Sequence, residues 1–237
     1  MAISADSGSG GGLPFAKFTS IGDELVGAFA SKPRECQRQR RKYKTGELIT
    51  RPGKDGKQVP ALEEIMWFIA MPGTTAKVGT AETEYTPIMA GDTVRWSVSG
   101  FQWGQVIDAR KKLPARAGFK AGEPCSGDVY SIRLASYSVG TENAGAAERA
   151  GFTVVDGRIV MTTEEQREKY VMHQVRNNGN TSTGKDFVIT IRRPEDSEKR
   201  WEQAADELFA SKPWEKQLAS VGGGSHDAEE GGDEEPF

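Results

Sequence analysis

Between Arg38 and Lys44 the chain holds Arg38, Arg40, Arg41, Lys42, Tyr43 and Lys44, five positive charges around one aromatic ring in seven residues. Cations at this density neutralise phosphates and release their counterions, and an aromatic ring among them offers a face on which a base can stack. The run lies within Lys32–Lys57, where ten basic residues stand against three acids and Arg51 and Lys57 extend the charge. The other end has the opposite sign. Val221–Phe237 carries six acids and no Lys or Arg, and it closes on Asp233, Glu234, Glu235, Pro236 and Phe237. The whole chain has a formal charge of -3, but outside that tail 31 basic residues face 28 acids. A basic stretch ahead of an acidic tail points to a nucleic-acid partner. The plainer alternative is a solvated basic loop, or one that pairs with the protein's own tail.

Other chemistries find little support. Glu63 and Glu64 are adjacent, so on a strand they face opposite sides and form no acid/base pair. His173 sits in a helical pattern beside Tyr170 and Arg176 and reads as a surface residue. Cys36 and Cys125 are too few for a disulfide framework and too far apart for a zinc site, so neither a metal nor a cofactor is expected. Gly179 to Asp186 nearly spells a P-loop, but Asp186 stands where a Ser or Thr should hold magnesium. The β-branched run that follows is a strand, not the required helix. No apolar run approaches the eighteen residues or so of a membrane span. The Gly/Ser-rich start has no signal-peptide character. The expectation is a non-catalytic, reduced, cytoplasmic protein without membrane contact.

The elements that must carry the basic residues follow from periodicity. A first strand is expected over Ile21–Ser31, with Leu25, Gly27 and Phe29 on one face, followed by a long hairpin arm over Lys32–Gln58. The arm has turn signals at Lys44–Glu47 and Lys54–Lys57. Leu62–Met71 is apolar on both parities and reads as a central strand. Asp92–Ser99 alternates, with Val94, Trp96 and Val98 inward and Arg95 on the polar face. A helix over Phe101–Leu113 ends at Pro114. Asp128–Val139 alternates again, with Tyr130, Ile132 and Leu134 inward and Ser131, Arg133, Ala135 and Tyr137 on the other face. After a second excursion over residues 140–185, where Thr163 and Gln166 suggest a capping box for a helix over Glu164–Val175, Phe187–Arg193 is the last strand.

Strand, strand, strand, helix, strand, strand is the order of the five-stranded OB-fold barrel. The two long excursions fall where that fold carries its binding loops; a generic β-sandwich is the alternative. The expected organisation is a disordered Gly/Ser segment over 1–14, an OB-fold domain with elaborated loops over 15–195, a helical segment over 196–221 and an acidic tail over 222–237. Ser197–Ser211 carries an apolar stripe of Trp201, Ala204, Ala205, Leu208 and Phe209. Packing on the barrel and dimerisation both remain open for that stripe. Candidate nucleic-acid contacts are therefore Arg38, Arg40, Arg41, Lys42, Tyr43 and Lys44, with Arg51 and Lys57 on the arm, Arg95, Arg133 and Tyr137 on the strands' polar face, and Trp103 at the strand-to-helix junction.

The tail, a Gly-rich linker leading to an acidic run that ends in Pro-Phe, resembles the C-terminal tip of bacterial and bacteriophage single-stranded DNA-binding proteins. Their cores show no sustained residue-level match to this chain, and its loops look more like a bacteriophage version. The resemblance implies a protein that coats single-stranded DNA during replication, recombination and repair. It further implies that Asp233, Glu234, Glu235, Pro236 and Phe237 recruit replication and recombination proteins, with Phe237 in an apolar pocket and its carboxylate on a basic residue. Here Gly231 and Gly232 interrupt the acids. A strand-annealing or recombination-mediating protein, which would depend on oligomers, and a module that binds proteins rather than DNA are the rival expectations.

Overall fold

The computed structural model describes residues 13–31, the backbone of 37–39, and residues 47–53, 55–79, 84–98 and 101–213. It is mainly β. Among the described residues twelve strands appear in chain order: β1 (Glu24–Phe29), β2 (Gln37–Gln39), β3 (Thr50–Pro52), β4 (Gln58–Pro60), β5 (Leu62–Ala70), β6 (Lys77–Val78), β7 (Thr86–Pro87), β8 (Thr93–Val98), β9 (Val129–Gly140), β10 (Thr153–Val155), β11 (Arg158–Met161) and β12 (Gly184–Arg192). The helices are α1 (Phe101–Arg110), α2 (Ala144–Arg149), α3 (Glu164–Arg176) and α4 (Lys199–Ser211).

Eight strands form one antiparallel sheet, whose long path runs β8-β5-β1-β9-β12. β5 is an interior strand, between β8 and β1, as its apolar residues on both parities require, and every residue from Glu64 to Ala70 is buried. β2 extends the sheet beside the start of β5, and the β10–β11 hairpin extends it beside the end of β9. Gly27 makes the β1–β5 contact possible. A Cβ there would lie 2.9 Å from the Phe68 Cβ and 3.3 Å from the Ile69 carbonyl oxygen, closer than a side chain can approach a paired backbone.

The expected five-stranded barrel is not closed. Among the described residues no backbone pairing joins β8 to β12. The sheet nevertheless curls. Four strand spacings would separate β8 from β12 by about 19 Å in a flat sheet, yet the rings of Trp96 and Phe187 lie 5.6 Å apart. The concave side holds the main core, with Leu25, Phe29, Met66, Phe68, Val94, Trp96, Tyr130, Ile132, Leu134 and Phe187 buried. Phe18, from the segment ahead of β1, packs edge-on against Phe187 at 4.9 Å. That segment also pairs with the outer edge of β8 through Phe15 and Arg95.

The convex side is partly covered by α4. Its apolar stripe, Trp201, Ala204, Ala205 and Leu208, packs on Val26, Ala28, Ala30, Ile69, Met71 and Val129, and Phe209 reaches Ile65 and Trp67. Of the two uses open to this stripe, packing on the sheet is the one observed. α1 is shorter than its periodicity suggests: it ends at Arg110, and the Leu113 amide closes a further turn on the Arg110 carbonyl before Pro114. Its buried face is Val106, Ala109 and Arg110, while Ile107 is exposed. α3 is capped by Thr163, whose hydroxyl oxygen accepts from the Gln166 amide at 3.2 Å. Gln166 reaches back one residue further than a capping box does, accepting from the Thr162 amide at 2.7 Å.

Candidate nucleic-acid interface

The basic arm is only partly described. β3 and β4 form its hairpin, turned by Gly53 to Lys57 with Gly56 at a φ of 76°, a conformation that favours glycine. This is the Lys54–Lys57 turn expected from sequence; the signal at Lys44–Glu47 lies mostly outside the described residues. Every side chain of β3 is exposed and β4 is exposed apart from a half-buried Val59, so the hairpin projects into solvent. Arg51 stands opposite Val59 on this hairpin, and Lys57 flanks its turn; both are exposed. Arg38 lies on β2, its backbone opposite Glu63 of β5. β4 ends two residues before β5 begins, so the hairpin and β2 share one corner of the sheet. Arg40, Arg41, Lys42, Tyr43 and Lys44 lie outside the described residues, as do Asp233, Glu234, Glu235, Pro236 and Phe237.

The remaining candidates scatter. Arg133 is exposed on the convex face of β9, between Glu24 of β1 and Val188 of β12. Arg95 is on the same face of β8, but α4 covers Val26, Ala28, Ile69 and Val129 there, so the two arginines share no open surface. Trp103 is half-buried against the core at the start of α1, with the Arg110 guanidinium 5.2 Å from its ring. Tyr137 is buried, against the expectation that it shares the polar face with Arg133. The cause is a β-bulge. β12 pairs Phe187 with Leu134 but Asp186 with Ser136, so Ala135 is passed over and the alternation changes parity. Tyr137 then joins the core, where Arg167 stacks on its ring at 4.2 Å and burial pushes its phenol pKa up. It has no free face for a base.

Arg95 and the segment ahead of β1 bring in cations that sequence reasoning passed over. The Arg95 guanidinium lies 4.1 Å from the Phe15 ring and 5.5 Å from the Trp67 ring, and it donates to the Leu13 carbonyl. Lys17 and Lys77 exchange backbone hydrogen bonds at 2.7 and 2.9 Å. The Lys185 ammonium donates to the Phe18 carbonyl. Burial lowers the Lys185 pKa, and the nearby charges of Arg167 and Lys17 lower it further. The signal available in sequence was the alternation Phe15, Ala16, Lys17, Phe18, hidden behind the Gly/Ser-rich start.

A second polar cluster is structural. Asp128 is fully buried and accepts from Arg193 Nη1 at 2.8 and 2.9 Å and from the Cys125 amide at 2.9 Å. Arg193 also donates to the Pro114 and Glu123 carbonyls, tying the connection between α1 and β9 to the residue after β12. Burial and the Asp128 carboxylate push the Cys125 thiol up to about 11, so it stays a thiol at neutral pH. Among the described residues no group of three or more His, Cys, Asp or Glu is arranged to hold a metal ion, and no helix is long and apolar enough to cross a membrane. The near-P-loop runs into β12, not into a helix. Comparisons with protein-family models, with curated proteins and with solved structures find no match to this chain.

Proposed function

We propose that the protein binds single-stranded DNA without strong sequence preference, through the basic arm and the sheet corner beside it, and that its sheet is an opened variant of the OB barrel. The observation that carries the reading is the β3–β4 hairpin. A two-stranded hairpin with both faces in water is marginal by itself. Here Arg51 and Lys57 are carried on such a hairpin, next to the densest basic run of the chain. A projecting cationic ribbon can follow a flexible phosphate backbone, and the aromatic of the basic run, Tyr43, supplies a stacking face. The strand path β8-β5-β1-β9-β12, with α1 after β8, supports reading the sheet as an OB order whose seam is unpaired. The acidic Asp233–Phe237 segment then recruits replication and recombination proteins. By this reading the protein is a coating factor and not an enzyme.

The test is a titration of the full chain with a dT oligomer at several salt concentrations. Affinity should fall steeply as salt rises, with a log–log slope of about -0.7 for each phosphate neutralised. A salt-independent affinity, or none at low salt, would overturn the reading and leave the arm as a protein-docking element.

A further inference from the structure

The segment ahead of β1 lies on the convex edge of β8 as a strap. The Ala16 amide donates to the Arg95 carbonyl at 2.7 Å, and the Arg95 amide donates to the Pro14 carbonyl at 3.0 Å. Leu13 and Phe15, together with Phe209 of α4, cover Ile65 and Trp67, and Trp67 is left 1% exposed. Arg95 is held between two rings, with Phe15 at 4.1 Å and Trp67 at 5.5 Å, while its Nη2 donates to the Leu13 carbonyl oxygen. A ring on a guanidinium and an oxygen at its edge are what a nucleotide presents to arginine: the face of a base, and a phosphate or base oxygen. Lys17, Lys77, Lys185 and Arg167, next to the strap, outnumber the Asp23 and Glu164 carboxylates beside Lys185, so the surface there is net cationic and suits a polyanion.

The strap's backbone pairing with β8 is a single bridge, Phe15 on Arg95, and Pro14 has no amide with which to extend that pairing. Leu13 and Phe15 are only half-buried.

We propose that Leu13–Ala16 is a displaceable strap over a second single-stranded nucleic-acid site, with Arg95 and Trp67 as its floor, and that a bound strand takes the strap's place. The inference rests on the nucleic-acid reading above and adds to it a site and a means of regulation. The closed strap lowers the apparent affinity of this site in proportion to the fraction of molecules in which it is open. A variant with a weakened strap therefore binds more tightly.

The experiment is amide hydrogen exchange on the full chain, with and without a saturating dT oligomer. The Ala16 and Arg95 amides, which close the strap, should exchange about tenfold faster when the oligomer is bound, whereas β1 amides should not. In parallel, Phe15→Ala should bind the oligomer about fivefold more tightly, and Arg95→Gln added to it should remove that gain. If the oligomer binds and the Ala16 amide exchanges no faster, the strap proposal fails while the arm reading stands. If no oligomer binds, both fail. The exchange measurement uses the unaltered chain, so it decides the matter even if Phe15→Ala folds poorly.

Discussion

Replacing Arg193 with alanine should be one of the most damaging single changes to this fold. The side chains of Arg193 and Asp128 are 13% and 0% exposed, so solvent screens the pair little. Arg193→Ala leaves a buried carboxylate with the Cys125 amide and thiol as its remaining donors, and it strips the Pro114 and Glu123 carbonyls of their Arg193 donors. Removing one partner of such a pair costs about 3–5 kcal/mol. For a chain of this size that corresponds to a fall in melting temperature of about 6–20 °C. Urea unfolding followed by circular dichroism reads it as a lower midpoint at an unchanged slope. Arg193→Lys keeps the charge but loses the planar fork that reaches two carbonyls and the carboxylate together, so it should fall between wild type and alanine. Asp128→Ala combined with Arg193→Ala should cost well below the sum of the single changes. A loss under about 1 kcal/mol for Arg193→Ala, or strict additivity in the cycle, would refute the assignment of this cluster as the tie between the α1–β9 connection and β12.

Gly27→Ala forces a Cβ to within 2.9 Å of the Phe68 Cβ and should cost about 1–3 kcal/mol in the same assay. Tyr137→Ala should destabilise by about 3–5 kcal/mol, as for a buried aromatic, while Tyr137→Phe leaves dT affinity unchanged in anisotropy. The Cys125 thiol is raised from 9.0 to about 11 in the folded state. Its contribution to stability is therefore fully present below pH 9 and is lost as pH rises towards 11. Cys125→Ala should flatten the alkaline limb of a stability–pH curve. Charge reversal of Arg51 and Lys57 to glutamate, both exposed, should leave the melting temperature unchanged and weaken dT binding while lowering its salt slope.

Much of the sheet was legible because its strands carry clean period-two patterns. Within Leu62–Ala70, apolar on both parities, Glu64 to Ala70 are buried on both faces of the sheet, and Val94, Trp96 and Val98 all face the core. The stripe of α4 marked its buried side in advance, though not what it would cover. Tyr137 was misplaced because a single bulge at Ala135 changes parity without any local sequence sign. The opening of the sheet was equally hidden, since closing it would take backbone pairing between β8 and β12, which no residue pattern encodes. Of the candidate site, the arm's exposed hairpin followed from the Lys-Asp-Gly-Lys turn. The engagement of Arg95 did not, because its ring partner Phe15 lies 80 residues away along the chain. Arg193 and Asp128, 65 residues apart, show the same limit.

The central claim is that this surface selects single strands. Fluorescence anisotropy of a labelled dT oligomer and a matched duplex, titrated with the full chain at one low salt concentration, tests it most directly. The account predicts tight binding of the oligomer and markedly weaker binding of the duplex, because stacking faces are available only on unpaired bases. Equal affinity for both would contradict it and reduce the arm to a general polyanion contact.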